Sequence, residues 1–295
     1  VVTFHGAWPA LVTPFDDQDQ VSVAVLRRLV DYLIGKGIGG FYVCGSTGEG
    51  IYMSVAERKR VLETVVEQVN RRVPVIAHVG CVAVGDAVAL ARHAQEAGAD
   101  GVASIIPPLY RNTSSVHDYY GKLGAAAPSL PLLAYIFGGP ADAVALMAAL
   151  RDIPTLAGAK YTGPNMFEFR QLIDLGAGGW TLFSGMDEEC AFAAMFGASG
   201  CIGSSLNYHA GAYRAIQHAV HNGQHGHAVE LQLQVNRTTA TMFTFGFMGA
   251  LKALMSWFDL PCGAPRLPNA ALPAEKLEPL RKELTEVGFF ELAAL

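Results

Sequence analysis

The sequence predicts a (β/α)8 barrel. Eight short apolar segments recur at intervals of roughly 20 to 30 residues, each is followed by a stretch of helical character, and the connections are rich in glycine and proline. Eight such units within about 205 residues exceed the usual strand number of a doubly wound sheet, which would also need a switch point.

In chain order, Trp8 to Thr13 is an apolar segment closed by Pro14, with Ala10 to Thr13 as the first strand, and DDQDQ at 16–20 is a loop that can cap a helix over Ser22 to Ile34. GKGIGG at 35–40 ends that helix, FYVC at 41–44 reads as a buried strand and GSTGEG at 45–50 as a loop. The next helix, Ser54 to Asn70, carries Val55, Val61, Leu62, Val65, Val66 and Val69 on one side. The alternation continues with strands at Val73 to His78, Gly101 to Ile106, Pro131 to Tyr135, Leu156 to Lys160, Thr181 to Ser184 and Gly200 to Gly203. Between them the helices are expected at Asp86 to Glu96, Val116 to Ala125, Ala143 to Leu150, Met166 to Leu175 and Glu188 to Phe196.

The remaining chain reads as helical at His218 to Val235, Thr239 to Trp257 and Ala274 to Glu286. The expected division is a barrel over 1–220 and a helical extension over 221–295 packed on it. Its apolar run FTFGFMGALKALMSWF suits either a core or a subunit interface.

The 295 residues, 51% hydrophobic with 32 glycines and 15 prolines, fit a compact α/β enzyme rather than a disordered or collagen-like chain. The net charge of -5 and the absence of a basic block argue against nucleic acid as a partner. Apolar runs fall short of the roughly 20 residues that span a bilayer, so no membrane partner is expected. Five scattered cysteines without CxxC spacing suggest reduced thiols in the cytoplasm and no zinc–sulfur site, and the N-terminal stretch lacks the basic leader of a secretory peptide.

Barrel chemistry sits where the C-terminal ends of the strands converge. That rule selects Thr13, Ser46, Thr47, Glu49, His78, Tyr110, Tyr135, Lys160, Thr162, Asp187, Glu188 and Ser204. Lys160, in LAGAKYTG, is either an ordinary strand-terminal lysine reaching solvent or a catalytic amine. Tyr135 closes the preceding strand and is either a core aromatic or a phenol able to move protons beside that amine. GSTGEG lacks the spacing of a nucleotide loop; its hydroxyls and backbone N–H groups suit a carboxylate, unless it is a plain strand-to-helix turn. His78 has no partner at metal-ligand spacing and reads as structural, the histidines from His209 to His227 as solvated helix faces. The acids of GMDEE at 185–189 serve either a helix N-terminus or a polyhydroxylated substrate.

GSTGE at 45–49, AHVGC at 77–81, the tyrosine ending strand five, GAK at 158–160, GMDEE and GSSLN at 203–207 together resemble the superfamily of N-acetylneuraminate lyase and dihydrodipicolinate synthase, class I aldolases that handle pyruvate through a Schiff base. The resemblance spans nearly the whole chain and implies that Lys160 forms the Schiff base, that Ser46 and Thr47 grip the keto-acid carboxylate and that Tyr135 shuttles the proton, with Thr47 as relay. It implies a homotetramer with Tyr110 near a dimer interface, and neither metal nor organic cofactor. The synthase pattern has an arginine where this chain has Pro140, whereas Gly185, Asp187, Glu188, Thr162 and Ser204 match lyase positions that hold a sugar chain. The implied activity is therefore cleavage of N-acetylneuraminate to N-acetylmannosamine and pyruvate. YIFGGPADA at 135–143 departs from the family's strand-five end, and PPLY at 107–110 from its strand-four end, which leaves an aldolase or dehydratase for another 2-keto-3-deoxy sugar acid, or a non-catalytic keto-acid or sugar binding protein, as alternatives.

Overall fold

The computed structural model describes residues 4–110, 112–138 and 142–295; Pro140 lies outside them. Eight strands alternate with eight helices: β1 Gly6–Pro9, α1 Val23–Gly35, β2 Phe41–Val43, α2 Val55–Val69, β3 Val75–His78, α3 Val84–Glu96, β4 Gly101–Ile105, α4 Thr113–Ala126, β5 Leu132–Phe137, α5 Ala143–Ala149, β6 Leu156–Thr162, α6 Met166–Gly176, β7 Thr181–Ser184, α7 Cys190–Met195, β8 Gly200–Gly203 and α8 Leu206–His221. All pairings are parallel, in the order β1-β8-β7-β6-β5-β4-β3-β2, and a bridge between Ala10 and Tyr42 closes the ring. The expected barrel is present.

Alternation along each strand makes two apolar layers. Phe4, Trp8, Ala10, Tyr42, Ile76, Ala103, Leu133, Phe183 and Ile202 fill the barrel interior. Phe41, Val43, Val75, Ala77, Val102, Leu132 and Ala134 face the other way, into the core shared with the helices. Local caps set where helices begin: Ser54 and Glu57 form a reciprocal capping box on α2, and Asn112, Asp142 and Asn165 each accept a backbone N–H at the starts of α4, α5 and α6.

Several boundaries differ from the sequence reading. The first strand lies earlier than Ala10 to Thr13, because beyond Ala10, whose N–H still donates to Gly203 O at 2.9 Å, the backbone leaves the β8 ladder: Leu11 N–H donates to Tyr42 O at 2.9 Å and Val12 N–H to the Asn207 side chain at 3.0 Å. The span His218 to Val235 is two helices, the end of α8 and the start of α9 (His225–Thr244), separated by a turn at the Asn-Gly pair 222–223, where the turn chemistry overrides the helical pattern. Thr239 to Trp257 divides likewise at Phe245–Gly246, giving α10 (Phe247–Leu254). The α7 region opens with a 3-10 turn at Asp187–Glu189. Two more helices, α11 (Leu277–Glu286) and α12 (Phe289–Ala294), finish the chain; the last was not foreseen. Among the described residues no helix is long and apolar enough to cross a membrane.

One irregularity decides which way the sixth strand faces. Leu132 pairs with Leu156 but Leu133 pairs with Gly158, so Ala157 is an extra residue on β6. Leu156 lies in the outer core, and strict alternation would send Gly158 and Lys160 outward with it. Past the extra residue, Ala159 and Tyr161 lie in the outer core instead. Lys160 faces the interior and stands in register with Tyr135 on one side and Phe183 on the other. Gly158 takes φ +141 at this bulge, and a Cβ there would lie 1.9 Å from Thr181 O. Gly158→Ala is therefore expected to destabilise the fold by about 3 kcal/mol or more, read from urea unfolding. Wild-type stability in that variant would show that the bulge is not required.

Candidate active site

Lys160 is 5% exposed, and its Nζ lies 4.3 Å from the centre of the Tyr135 ring and 4.9 Å from that of Tyr42. Two aromatic faces suit a cationic group, because a ring quadrupole attracts a cation without taking its proton. The Tyr42 ring meets that of Tyr135 edge-on at 6.2 Å, and the Tyr42 hydroxyl is buried without a partner. Tyr42 escaped the sequence reading because it sits mid-strand; only the inward side of β2, facing the lysine, brings it in.

His78 shares this layer but is fully engaged. Its Nδ1 lies 3.1 Å from Cys44 O, and its Nε2 accepts from the Ile105 N–H at 3.0 Å. Burial, with Arg58 and then Lys160 nearby, pulls its pKa well down, so the ring stays neutral and ties β2, β3 and β4 together. That agrees with the structural reading.

Across the mouth, the loop after β2 presents Ser46, exposed, and Thr47, whose Oγ1 is 2.6 Å from Ser204 Oγ at the end of β8. Two hydroxyls from the ends of the strands that flank β1 thus meet at one point. Thr13, also in the predicted set, supports the loop from below by donating to Gly48 O at 2.7 Å. Asn207 closes the adjacent seam: it donates to Ala10 O and Ser204 O at 2.8 Å each.

The strand-seven end supplies the polar wall. Gly185 donates its N–H to Tyr161 O at 2.7 Å, and a Cβ there would fall 1.8 Å from Thr162 Oγ1 and 2.8 Å from Lys160 Cε. The absence of a side chain is what lets β6 and β7 approach behind the amine. Thr162 Oγ1 is buried and unpartnered. Asp187 lies against Gly203, and its Oδ2 accepts from Ser205 N and Oγ at 2.7 and 2.5 Å. Glu188 is half-buried beside it. The turn carrying both acids is fixed from the C-terminal extension, with Gln232 and Asn236 of α9 donating to the carbonyls of Asp187 and Glu188 at 3.0 Å each. Ser205 lies in the GSSLN motif but outside the set selected at the strand ends, and Gln232 and Asn236 carried no sequence signal, since they act across distant parts of the chain.

Tyr110 is placed differently. Its ring packs on Tyr119 at 5.3 Å and lines a cavity of about 780 Å³ between the loops after β4 and β5, with Ile51, Pro107, Phe137 and Leu146. Neither Lys160 nor Asp187 lines that cavity. Glu49 is not in the mouth: it is buried in an ion pair with Lys252.

Burial pushes the Asp187 carboxyl up to about 6, with Ser205 hydrogen bonds opposing and Glu188 adding to the rise. A carboxyl raised in the folded state favours the fold below about pH 4, and that contribution is lost as pH rises through about 6. Asp187→Asn keeps an acceptor for Ser205 and cannot ionise. Its stability relative to wild type is expected to rise between about pH 4 and 7, on the order of 2 kcal/mol, in urea unfolding at a series of pH values. A difference independent of pH would contradict a buried, ionising Asp187.

Residues 3–287 match the Dihydrodipicolinate synthetase family. N-acetylneuraminate lyase of Enterobacter sp. (strain 638) is 32% identical over 288 residues, covering 95% of this chain and 97% of that protein. Among solved structures, Proteus mirabilis N-acetylneuraminate lyase superposes with a TM-score of 0.93 at 29% identity, over 98% of this chain and 100% of its own. N-acetylneuraminate lyase from Aliivibrio salmonicida superposes with the same TM-score and identity, over 98% of each chain.

Proposed function

The chain belongs to the dihydrodipicolinate synthetase family, and from that premise we propose that it is a carbon–carbon lyase that cleaves N-acetylneuraminate to N-acetylmannosamine and pyruvate through a Schiff base on Lys160. The observation that carries this reading is the buried Lys160 amine lying against the face of Tyr135, its register partner on β5. The relatives' activity supports the substrate, as do Thr162, Gly185, Asp187, Glu188 and Ser204 around the mouth.

Lys160 Nζ adds to the C2 ketone of the open-chain sugar acid, and loss of water leaves an iminium. Ser46 and Thr47 hold the neighbouring carboxylate, which fixes the plane of that iminium. Tyr135 takes the proton of the C4 hydroxyl, directly or through Thr47, the C3–C4 bond breaks, and its electron pair moves into the iminium to give the enamine of pyruvate. The aldehyde leaves, C3 is protonated, and hydrolysis frees Lys160. Thr162, Asp187, Glu188 and Ser204 accept and donate hydrogen bonds to the hydroxyls of the departing chain. No cofactor enters this scheme, because the iminium is the electron sink.

A second reading, the same chemistry on a shorter 2-keto-3-deoxy acid, is favoured by the apolar cavity beside the β5 loop, where the sequence departs from the family. The reading further takes the chain as a cytoplasmic homotetramer. Exposed Phe167, Phe192, Met195 and Phe196 on α6 and α7 support burial of that face against another copy.

Borohydride added with pyruvate is expected to leave a pyruvate-derived mass on Lys160, absent in Lys160→Met. Tyr135→Phe should still be trapped but lose about 100-fold or more in kcat for cleavage. An unmodified Lys160 in the wild type rules the mechanism out. If N-acetylneuraminate releases no pyruvate while a shorter acid does, the second reading replaces the first. Sedimentation velocity is expected to show a tetramer, and a monomer at micromolar concentration would refute the assembly.

A further inference from the structure

The loop that presents Ser46 and Thr47 is held from behind by a charge that belongs to the C-terminal extension. Lys252 on α10 places Nζ 2.6 Å from Glu49 Oε1, and both side chains are fully buried. The other carboxylate oxygen accepts the Arg266 N–H at 2.6 Å, and Lys252 also donates to Ala264 O at 3.2 Å. Lys252 Nζ and the Arg266 guanidinium lie over the Phe15 ring, 4.0 and 4.2 Å from its centre. Phe15 N–H in turn donates to Cys262 O at 3.0 Å.

The loop closes on itself around this anchor. Glu49 N–H donates to Ser46 O at 3.0 Å and Gly50 N–H to Gly45 O at 3.1 Å. Glu49 sits at φ +56, a left-handed backbone that a side chain adopts only where its surroundings impose it. A buried ion pair is a poor source of stability, since a well-packed apolar pair of similar volume does as well. Its effect is on position: Lys252 holds the carboxylate by charge, as Oε1 has no hydrogen-bond partner, while the Arg266 N–H bond to Oε2 sets its direction, and together they hold the backbone three residues after Ser46.

We propose that Glu49 and Lys252 are positioning residues for the carboxylate end of the substrate, so that the C-terminal extension sets the aim of the Ser46 and Thr47 hydroxyls. This rests on the Schiff-base reading above. The pair acts through the loop and touches no reacting atom. Its signature is selectivity: losing it weakens the hold on a keto acid through its carboxylate and leaves the reactivity of the amine toward a plain ketone intact.

The test compares pyruvate with acetone, which offers a ketone and no carboxylate, in borohydride trapping on Lys160. Glu49→Gln/Lys252→Met removes both charges together and leaves neither buried alone. Glu49→Gln/Lys252→Gln, which puts two neutral amides in place of the pair, keeps an acceptor for Arg266 and likewise leaves no charge buried alone, is the milder companion should the first double variant not fold. In either variant the half-saturating pyruvate concentration is expected to rise about tenfold, with that for acetone unchanged. An unmoved pyruvate constant, or equal shifts for both ketones, overturns the positioning role. A wild-type protein that traps no pyruvate overturns the Schiff-base reading and this inference with it, an outcome visible before any variant is made.

Discussion

Ala157, the extra residue in β6, turns Lys160 from the helix-facing side of the sheet to the barrel axis. The rest of the site depends on that turn. Facing inward, the amine meets the rings of Tyr42 and Tyr135, and its stem lies in the space left by Gly185 on the next strand. Tyr161, the next residue, faces outward and donates to Glu168 Oε2 at 2.6 Å, while Glu168 Oε1 accepts from Ala143 N–H at the start of α5. The bulge therefore serves two layers at once: an apolar interior that desolvates the lysine, and an outer contact that fixes the two helices beside it.

The barrel interior beside the amine is apolar and largely aromatic. Trp8, Phe183 and Leu133 close the floor, with the Trp8 and Phe183 rings 5.3 Å apart. Asp187, in the 3-10 turn after β7, is held by Ser205 in a buried setting that raises its pKa. A charge in such a place is favoured only where hydrogen bonds or an opposite charge compensate for lost water. The same rule governs Glu49 and Lys252, which lie deeper and compensate each other. Both devices draw on the C-terminal extension, through Gln232 and Asn236 for the acidic turn and Lys252 for the loop. The extension thus joins the barrel on the side where chemistry is expected.

The mouth and the cavity beside it divide the chemistry of recognition. Thr47, Ser204, Thr162 and Asp187 put hydroxyls and a carboxylate at the strand ends, while Ile51, Ile105, Ile106, Phe137 and Leu146 make the neighbouring cavity largely apolar. Thr47 and Ser204 lie 157 positions apart in the chain yet share a hydrogen bond, which the closed ring of strands makes possible.

The sequence by itself determined the eight-fold alternation, because strand and helix periods are local properties of the side-chain pattern, and it marked Lys160, Tyr135, Thr47 and Ser204 as strand-end residues that a barrel brings together. It did not determine the direction in which Lys160 points. Alternation counted from Leu156 sends it outward, and the bulge that reverses it exists only because β5 and β7 constrain β6 from both sides, with Thr181 O filling the place of a Gly158 side chain. Nor could local pattern place Tyr110 against Tyr119, or pair Glu49 with Lys252 across 203 positions of chain. Those placements depend on packing and on charges that must find partners when water is removed, and neither condition exists until the barrel closes.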